Sequence, residues 1–510
     1  MENISGDNKR ILRGVFGGGA QTFISIAVSI IQIRLVLSFV PRDIAGTWFL
    51  FLTIGAYIAF FDLGLGPTLS REIGFATGRS GGPDKAAADI ADIIATCSRL
   101  FQLISLAVFA VACSAGAFFL GGRAAGGGEI LAAWLIFSAG AVLNLLGGTA
   151  FSALYGLGHV GTERLNRAVF QAAGLVLAFA TLKAGLGIKG LALAWAVQNL
   201  LARLSAWALL NRYHPELKAH KGVPSMAIAR RILGPSMKWA GMNLGALFIL
   251  NSDNILISSL IGSSAIPPYE AVAKVISAIM ILSMLNVASS VPFLSKAHAA
   301  GETGAFHSLF YRNIRFGVGL IIILTSFFSV FGERIINVWL GPGNFAGFAV
   351  LWILSATLIM EVHHTIHATV TMSAGHIIFL KAALLAGFLK VASSAWLSSY
   401  FGIAGIAAGT LLAQVLTNNW YAPYITLKLF NIPAGRYFRE VGFPLLALLA
   451  LTLGSNVLLI RLTGDLPELP GLLLSFPLSF AIGAGLFIAL VLPRDERLRA
   501  AVFFKGLYER

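Results

Sequence analysis

Residues 14–40 read GVFGGGAQTFISIAVSIIQIRLVLSFV, a run in which Arg34 is the sole charge. A helix needs about 20 mainly apolar residues to cross the hydrocarbon of a bilayer, and this run exceeds that length. Lys9, Arg10 and Arg13 give it a basic start. Its apolar stretch is nevertheless too long for a signal peptide, and no small-residue cleavage motif precedes the next run. The stretch reads as a retained first membrane helix.

Working outward, runs of the same kind follow at 44–69, 93–120, 130–157, 168–186 and 188–210. A second set lies at 239–261, 271–294, 316–338, 345–372, 377–400 and 403–427, and two more at 441–460 and 472–492 close the series. Across the 510 residues 57% are hydrophobic and only 12% charged, with a mean hydropathy of +0.82; soluble chains carry roughly a quarter charged residues. The expectation is an all-α polytopic membrane protein of about 14 transmembrane helices. Cys97 and Cys113 fall on one expected helix, about 24 Å apart at 1.5 Å per residue, too far for a disulfide.

A net charge of +15 is no sign of nucleic-acid binding here, because that reading needs basic residues clustered on a folded polar surface. With fourteen spans, most of the 37 Lys and Arg residues fall on the side of the N-terminus, among them Arg71, Arg79, Lys85, Arg164, Arg167, Lys218, Lys221, Arg230 and Arg231. The positive-inside rule then places both termini in the cytoplasm.

The two halves carry matching short segments in the same order. Pro67-Thr68-Leu69-Ser70-Arg71 parallels Pro292-Phe293-Leu294-Ser295-Lys296, Gly158-His159 parallels Gly375-His376, and Gly187-Ile188-Lys189-Gly190-Leu191-Ala192 parallels Gly402-Ile403-Ala404-Gly405-Ile406-Ala407. The offsets are 225, 217 and 215 residues, a drift of loop-length size. Six spans per half is an even number, so both halves enter from one side and the repeat is parallel. The expected organisation is a six-helix lobe at 1–211, a cytoplasmic linker at 212–238, a second six-helix lobe at 239–430, and two additional C-terminal helices with a cytoplasmic tail at 431–510.

Three further patterns carry a resemblance. They are Phe61-Asp62-Leu63-Gly64-Leu65-Gly66 followed by Arg71; Asp253-Asn254-Ile255-Leu256-Ile257 followed by Tyr269, Ala273 and Lys274-Val275-Ile276; and Trp339-Leu340-Gly341. Together they resemble the multidrug, oligosaccharidyl-lipid and polysaccharide exporter superfamily, specifically its polysaccharide-transporter branch with the O-antigen flippases. Pro267-Pro268 replaces the glycine usual before the tyrosine of the second pattern. The resemblance implies a non-enzymatic, two-lobed, alternating-access flippase in a bacterial inner membrane. It would move a polyprenyl-diphosphate-linked oligosaccharide from the cytoplasmic to the outer leaflet for surface polysaccharide such as lipopolysaccharide, alongside polysaccharide-assembly proteins.

Charges within hydrocarbon are costly and usually face a cavity or a partner. For a diphosphate headgroup the candidate ligands are Lys390, Arg34, Lys274, Arg99 and Arg203. Arg99 and Arg203 lie near span ends, where snorkelling is the competing reading; Lys274 has Glu270 one turn away. Lys390 sits at mid-span, with a buried salt bridge to Glu361 as its alternative. Asp62, Asp253, Glu361, His364 and His367 are the candidates for coupling to H+ or Na+. Glu361, His364 and His367 share a helical stripe by their three-residue spacing, a pattern suited to a proton relay because imidazole titrates near neutrality. Asp62 has a competing role in supporting a kink at Gly64, Gly66 and Pro67, and Asn243, Asn251 and Asn254 form a neutral stripe suited to helix–helix contact or to sugar. No nucleotide-binding motif, other cofactor or metal site is expected; the glycines at 17–19 favour close helix packing.

Two other functions compete. A cation-coupled multidrug exporter of the same superfamily fits the fold but is expected to have twelve spans and an acidic interior. A membrane-embedded glycosyltransferase or ligase would require a large charged outer loop, and the outer loops here are short.

Overall fold

The computed structural model describes residues 2–79, 83–120, 127–376 and 378–497; the expected C-terminal tail at 498–510 lies outside these. By its internal contacts the chain divides into two units, 1–266 and 267–510.

The first unit contains α1 (Glu2–Phe39), α2 (Arg42–Phe60), α3 (Leu65–Arg79), α4 (Pro83–Leu120), α5 (Gly127–Gly156), α6 (Val160–Lys183) and α7 (Gly187–Tyr213). The short α8 (Glu216–Ala219) and then α9 (Met226–Asn251) and α10 (Asp253–Leu260) follow. The second holds α11 (Ile266–Ala299), α12 (Thr303–Leu340), α13 (Phe348–Ser373), α14 (Leu380–Leu416), α15 (Asn418–Leu429), the short α16 (Ala434–Tyr437), α17 (Phe443–Leu462) and α18 (Glu468–Leu490). The described chain is all-α. Twelve helical segments are long and apolar enough to cross a membrane by length and composition. One of them, Leu380–Leu429, runs 50 residues and is broken at Gly402, enough for two crossings. Together with α9 and α10 the count agrees with about fourteen. Phe23, Leu106, Phe118 and Phe388 stand out into the surroundings, as expected where lipid rather than water covers the surface.

Helix ends repeat between the units in their dihedral angles. α5 ends at Gly158 (φ 86°) and α13 at Gly375 (φ 88°). In both, the residue after glycine donates its N–H five residues back: His159 to the Leu154 carbonyl at 2.9 Å, His376 to that of Thr371 at 3.3 Å. This closure satisfies carbonyls at the helix end and needs glycine in the left-handed region. The chain reverses a second time at Gly187 (φ 52°) and Gly402 (φ 54°). The Ser70 hydroxyl donates to the Ser152 carbonyl and its counterpart, Ser295, to that of Ser373, each at 2.9 Å. Sequence-matched positions thus occupy matched local structure, which is the physical content of a tandem repeat.

Three elements depart from expectation. The run at 44–69 is two helices, because Leu63 and Gly64 both take positive φ (53° and 77°) and the Asp62 Oδ1 accepts the Gly66 N–H at 2.9 Å, satisfying one of the free donors in the first turn of α3. The run expected at 168–186 begins at Val160, since Glu163 and Arg167, an ion pair one turn apart, support helix rather than loop. α9 begins at Met226, inside the stretch 212–238 expected as linker; with α10 it lies in the first unit, where Asn254 Nδ2 donates to Thr53 Oγ1 of α2 at 2.8 Å.

In the second unit α12 is deeply buried and is packed by α13, α17 and α18. Lipid tails are as apolar as leucine, so small and polar side chains hold such contacts. Ser326 and Thr452 hydroxyls meet at 3.0 Å. From α12, Arg334 donates to the carbonyls of Thr463 and Gly464 at 3.1 and 3.0 Å, capping the end of α17 with a cation as the helix dipole favours.

Candidate functional site

Neutral amides are expensive at membrane depth unless a partner or cavity receives them, and the first unit gathers six. Gln21 and Gln32 of α1, Asn144 of α5, Gln171 of α6, and Gln198 and Asn199 of α7 line a cavity of about 260 Å³. Helical periodicity collects them. On α7 the lining residues Leu191, Ala194, Trp195, Gln198, Asn199 and Ala202 recur at three- and four-residue spacing, which is one face of a helix.

Hydrogen bonds and ring contacts fix these walls. The Ser25 hydroxyl donates to Gln171 Oε1 at 2.7 Å, tying α1 to α6. Gly174 makes room for Gln198, whose Oε1 lies 1.7 Å from where a β-carbon on that glycine would sit. Trp195 stacks on Phe137 with centroids 5.5 Å apart, and Trp48 meets the same ring edge-on at 5.7 Å. Arg167, the one cation among the lining residues, pairs with the buried Glu163 and lies over the Phe151 ring, 3.9 Å from its centroid. Trp48 and Trp195 each bury an indole N–H with no hydrogen-bond acceptor among the described residues.

The second unit holds a different cluster. His363 and His367, four residues apart on α13, both place Nε2 on the Tyr437 hydroxyl, at 2.8 and 2.9 Å. A phenol has one proton to donate, so it donates to one ring and accepts from the other. His367 Nδ1 is buried without a hydrogen-bond partner among the described residues, and an orphaned lone pair costs less there than an orphaned N–H. That assigns the direction: His367 Nε2–H donates to Tyr437, and Tyr437 O–H donates to His363 Nε2. His363 in turn lines a cavity of about 180 Å³ beside Val441 and Leu445. A π-helical turn at Phe438–Gly442, a feature frequent at functional sites, follows Tyr437.

The residues singled out from sequence distribute as follows. Glu361 Oε2 lies 3.4 Å from His364 Nδ1 and Glu361 Oε1 accepts from the Thr365 hydroxyl at 3.3 Å, so Glu361 pairs within α13. His367 turns to Tyr437, which divides the expected stripe in two. Lys390 is fully buried in α14. Lys274 Nζ lies 3.4 Å from Glu270 Oε2. Arg34 and Arg99 are exposed and Arg203 is half-buried. Asp62 supports the helix start described above, and Asp253 opens α10. The amide cavity, Arg167 and Tyr437 were not among the sequence candidates. Glutamines recurring at helical spacing inside apolar runs were the available signal for the first.

No protein-family profile matches the chain, and no curated protein matches it. Solved structures do. A lipid II flippase, MurJ, in an inward closed conformation is 14% identical, covers 97% of this chain and 100% of its own, and superposes with a TM-score of 0.72. An inward-facing multidrug resistance MATE family transporter of the MOP superfamily is 15% identical over 81% of this chain and 96% of its own, with a TM-score of 0.61. A MOP superfamily transporter from Pyrococcus furiosus is 15% identical over 84% and 95%, with a TM-score of 0.54. At these identities the likeness is one of fold: the chain shares the polytopic, all-helical fold of these solved structures.

Proposed function

We propose that the protein is a flippase for a lipid-linked glycan, working by alternating access in a bacterial inner membrane with both termini cytoplasmic. The observation that carries this reading is coverage. The solved flippase matches 97% of this chain, whereas the multidrug resistance transporter and the Pyrococcus furiosus transporter match 81% and 84%. The share left over by the second, 16%, is close to the size of the segment 431–510, which holds α17 and α18. An apolar cavity of about 410 Å³ lined by Val275 and Ile279 of α11, Phe327 and Phe328 of α12, and Leu473 and Phe476 of α18 suits a hydrocarbon tail. In this reading the stretch 212–238, which ends in the first half of α9, lies on the cytoplasmic side, and polysaccharide-assembly proteins supply and remove the substrate.

An anionic diphosphate requires cations in a medium of low dielectric, where arginine forks match phosphate oxygens. Arg34 and Arg99 are exposed, Arg203 is half-buried, Lys274 is shared with Glu270, and Lys390 is enclosed. Asp62 and Asp253 remain candidates for ion coupling. Coupling to H+ is favoured over Na+ by His363, Tyr437 and His367, three titratable groups joined by hydrogen bonds, with Glu361–His364 on the same helix.

The second reading, a cation-coupled multidrug exporter, has the fold likeness to the MATE structures behind it. Reconstitution separates the two. Purified protein in liposomes should expose a fluorescent polyprenyl-diphosphate glycan to a membrane-impermeant quencher faster than empty liposomes do. Equal rates, with ethidium instead driven across by a pH gradient, would favour the exporter.

A further inference from the structure

The amide-lined cavity of the first unit is not accounted for by a headgroup phosphate or a prenyl tail. Folding does not require it, because burying an amide without full hydrogen bonding costs free energy and alanine or leucine would pack the same helices. Its formal charge is balanced, since Arg167 is matched by Glu163, so neither a diphosphate nor a lipophilic cation finds an uncompensated counter-charge there. What it offers is donors and acceptors in equal measure from side-chain amides, each with a carbonyl oxygen and an NH₂. Aromatic walls from Trp195, Phe151 and Phe170 stand beside them.

Hydroxyl groups of sugars are likewise both donors and acceptors, and their C–H faces lie well on aromatic rings. The indole rings of Trp48 and Trp195 both stand among the lining residues and offer such faces. A volume near 260 Å³ holds about eight waters at about 30 Å³ each, or a single sugar ring in their place. We infer that this cavity, among α1, α2, α5, α6 and α7, is a subsite for one neutral, hydroxyl-bearing sugar residue. The inference rests on the flippase reading for its biological setting, but the binding itself is testable alone.

The test is saturation-transfer NMR on the full chain in lipid nanodiscs, with glucose, galactose, rhamnose and N-acetylglucosamine each at millimolar concentration as probes. At least one sugar should receive saturation from the protein. Gln198→Leu should weaken that binding about fivefold, the effect of about one lost hydrogen bond. Gly174→Ala should do the same, because the new β-carbon displaces the flexible end of Gln198 rather than backbone, which keeps the test valid if the leucine variant fails to fold. Trp195→Phe keeps an aromatic ring but loses the second ring of the indole from the cavity wall, and should also weaken binding. Absence of transfer to every sugar, unchanged binding in correctly folded Gln198→Leu and Gly174→Ala proteins, or displacement of the sugar by tetraphenylphosphonium would each overturn the subsite. In cells, full glycan export by both variants together with loss of export on deletion would remove the subsite and leave the flippase reading intact. Unchanged surface glycan on deletion would remove the flippase reading, with the NMR result alone deciding whether the cavity binds sugar.

Discussion

Tyr437 shows how much one hydroxyl can organise. It accepts from His367 and donates to His363, so Tyr437→Phe would leave a buried imidazole N–H without an acceptor, a loss of about 1–3 kcal/mol. The purified Tyr437→Phe protein should therefore melt below the parent, although the ring itself is preserved; an unchanged melting temperature would show that the two histidines do not depend on this hydroxyl. Little of this cluster was legible in the sequence. The spacing of Glu361, His364 and His367 predicted one stripe, but a stripe fixes only a shared face, and the hydroxyl that draws His367 away lies 70 residues further on. The amide cavity escaped for a different reason. A search for charges inside apolar runs finds Lys390 and Arg34 at once, whereas Gln32, Gln171 and Gln198 carry no charge, and only their convergence from three helices makes them a site.

Among the elements, reversals and helix ends were the most legible features, because they depend on backbone conformations that few residues tolerate. Gly187 and Gly402, paired by sequence alone, have φ values of 52° and 54°. A side chain in the left-handed region costs roughly 1–2 kcal/mol, so Gly187→Ala and Gly402→Ala should each destabilise the protein by about that amount, and by similar amounts. Thermal melts of the two variants in one detergent provide the check, and a large loss in one with none in the other would deny the structural equivalence of the repeats. The less legible boundaries are those set by side chains acting on backbone. The break after Phe60 depends on the Asp62 carboxylate receiving the Gly66 N–H, and the early start of α6 depends on the Glu163–Arg167 pair. Hydropathy passes over the lone Asp62 charge inside the run at 44–69 and takes the Glu163 and Arg167 charges for loop.

For the whole molecule, sequence run lengths were sufficient to anticipate a polytopic helical protein, since an uninterrupted apolar run has few soluble alternatives, but orientation rests on charge asymmetry alone. C-terminal reporter fusions should accordingly be active with a cytoplasmic reporter and silent with a periplasmic one; the reverse result would invert the topology and with it the direction of transport. Direction gives the final prediction its form. A diphosphate and the hydroxyls of a glycan lose water on entering hydrocarbon, at a cost of several kcal/mol for each unpaired group, so unassisted crossing is slow and the lipid-linked intermediate stays where it is made. Deleting the protein should deplete surface glycan and leave the polyprenyl-linked precursor on the cytoplasmic leaflet, out of reach of externally added lectin until the membrane is permeabilised. Re-expression of the parent chain should restore surface glycan. Re-expression of a chain ending before α17 should not, because that truncation removes α17 and α18, which pack on α12, and with α18 one wall of the apolar cavity. Stable insertion of the shortened chain has to be verified by its abundance in the membrane fraction. Surface glycan unchanged on deletion, accompanied by sensitivity to cationic drugs, would instead make the chain an exporter with two extra helices.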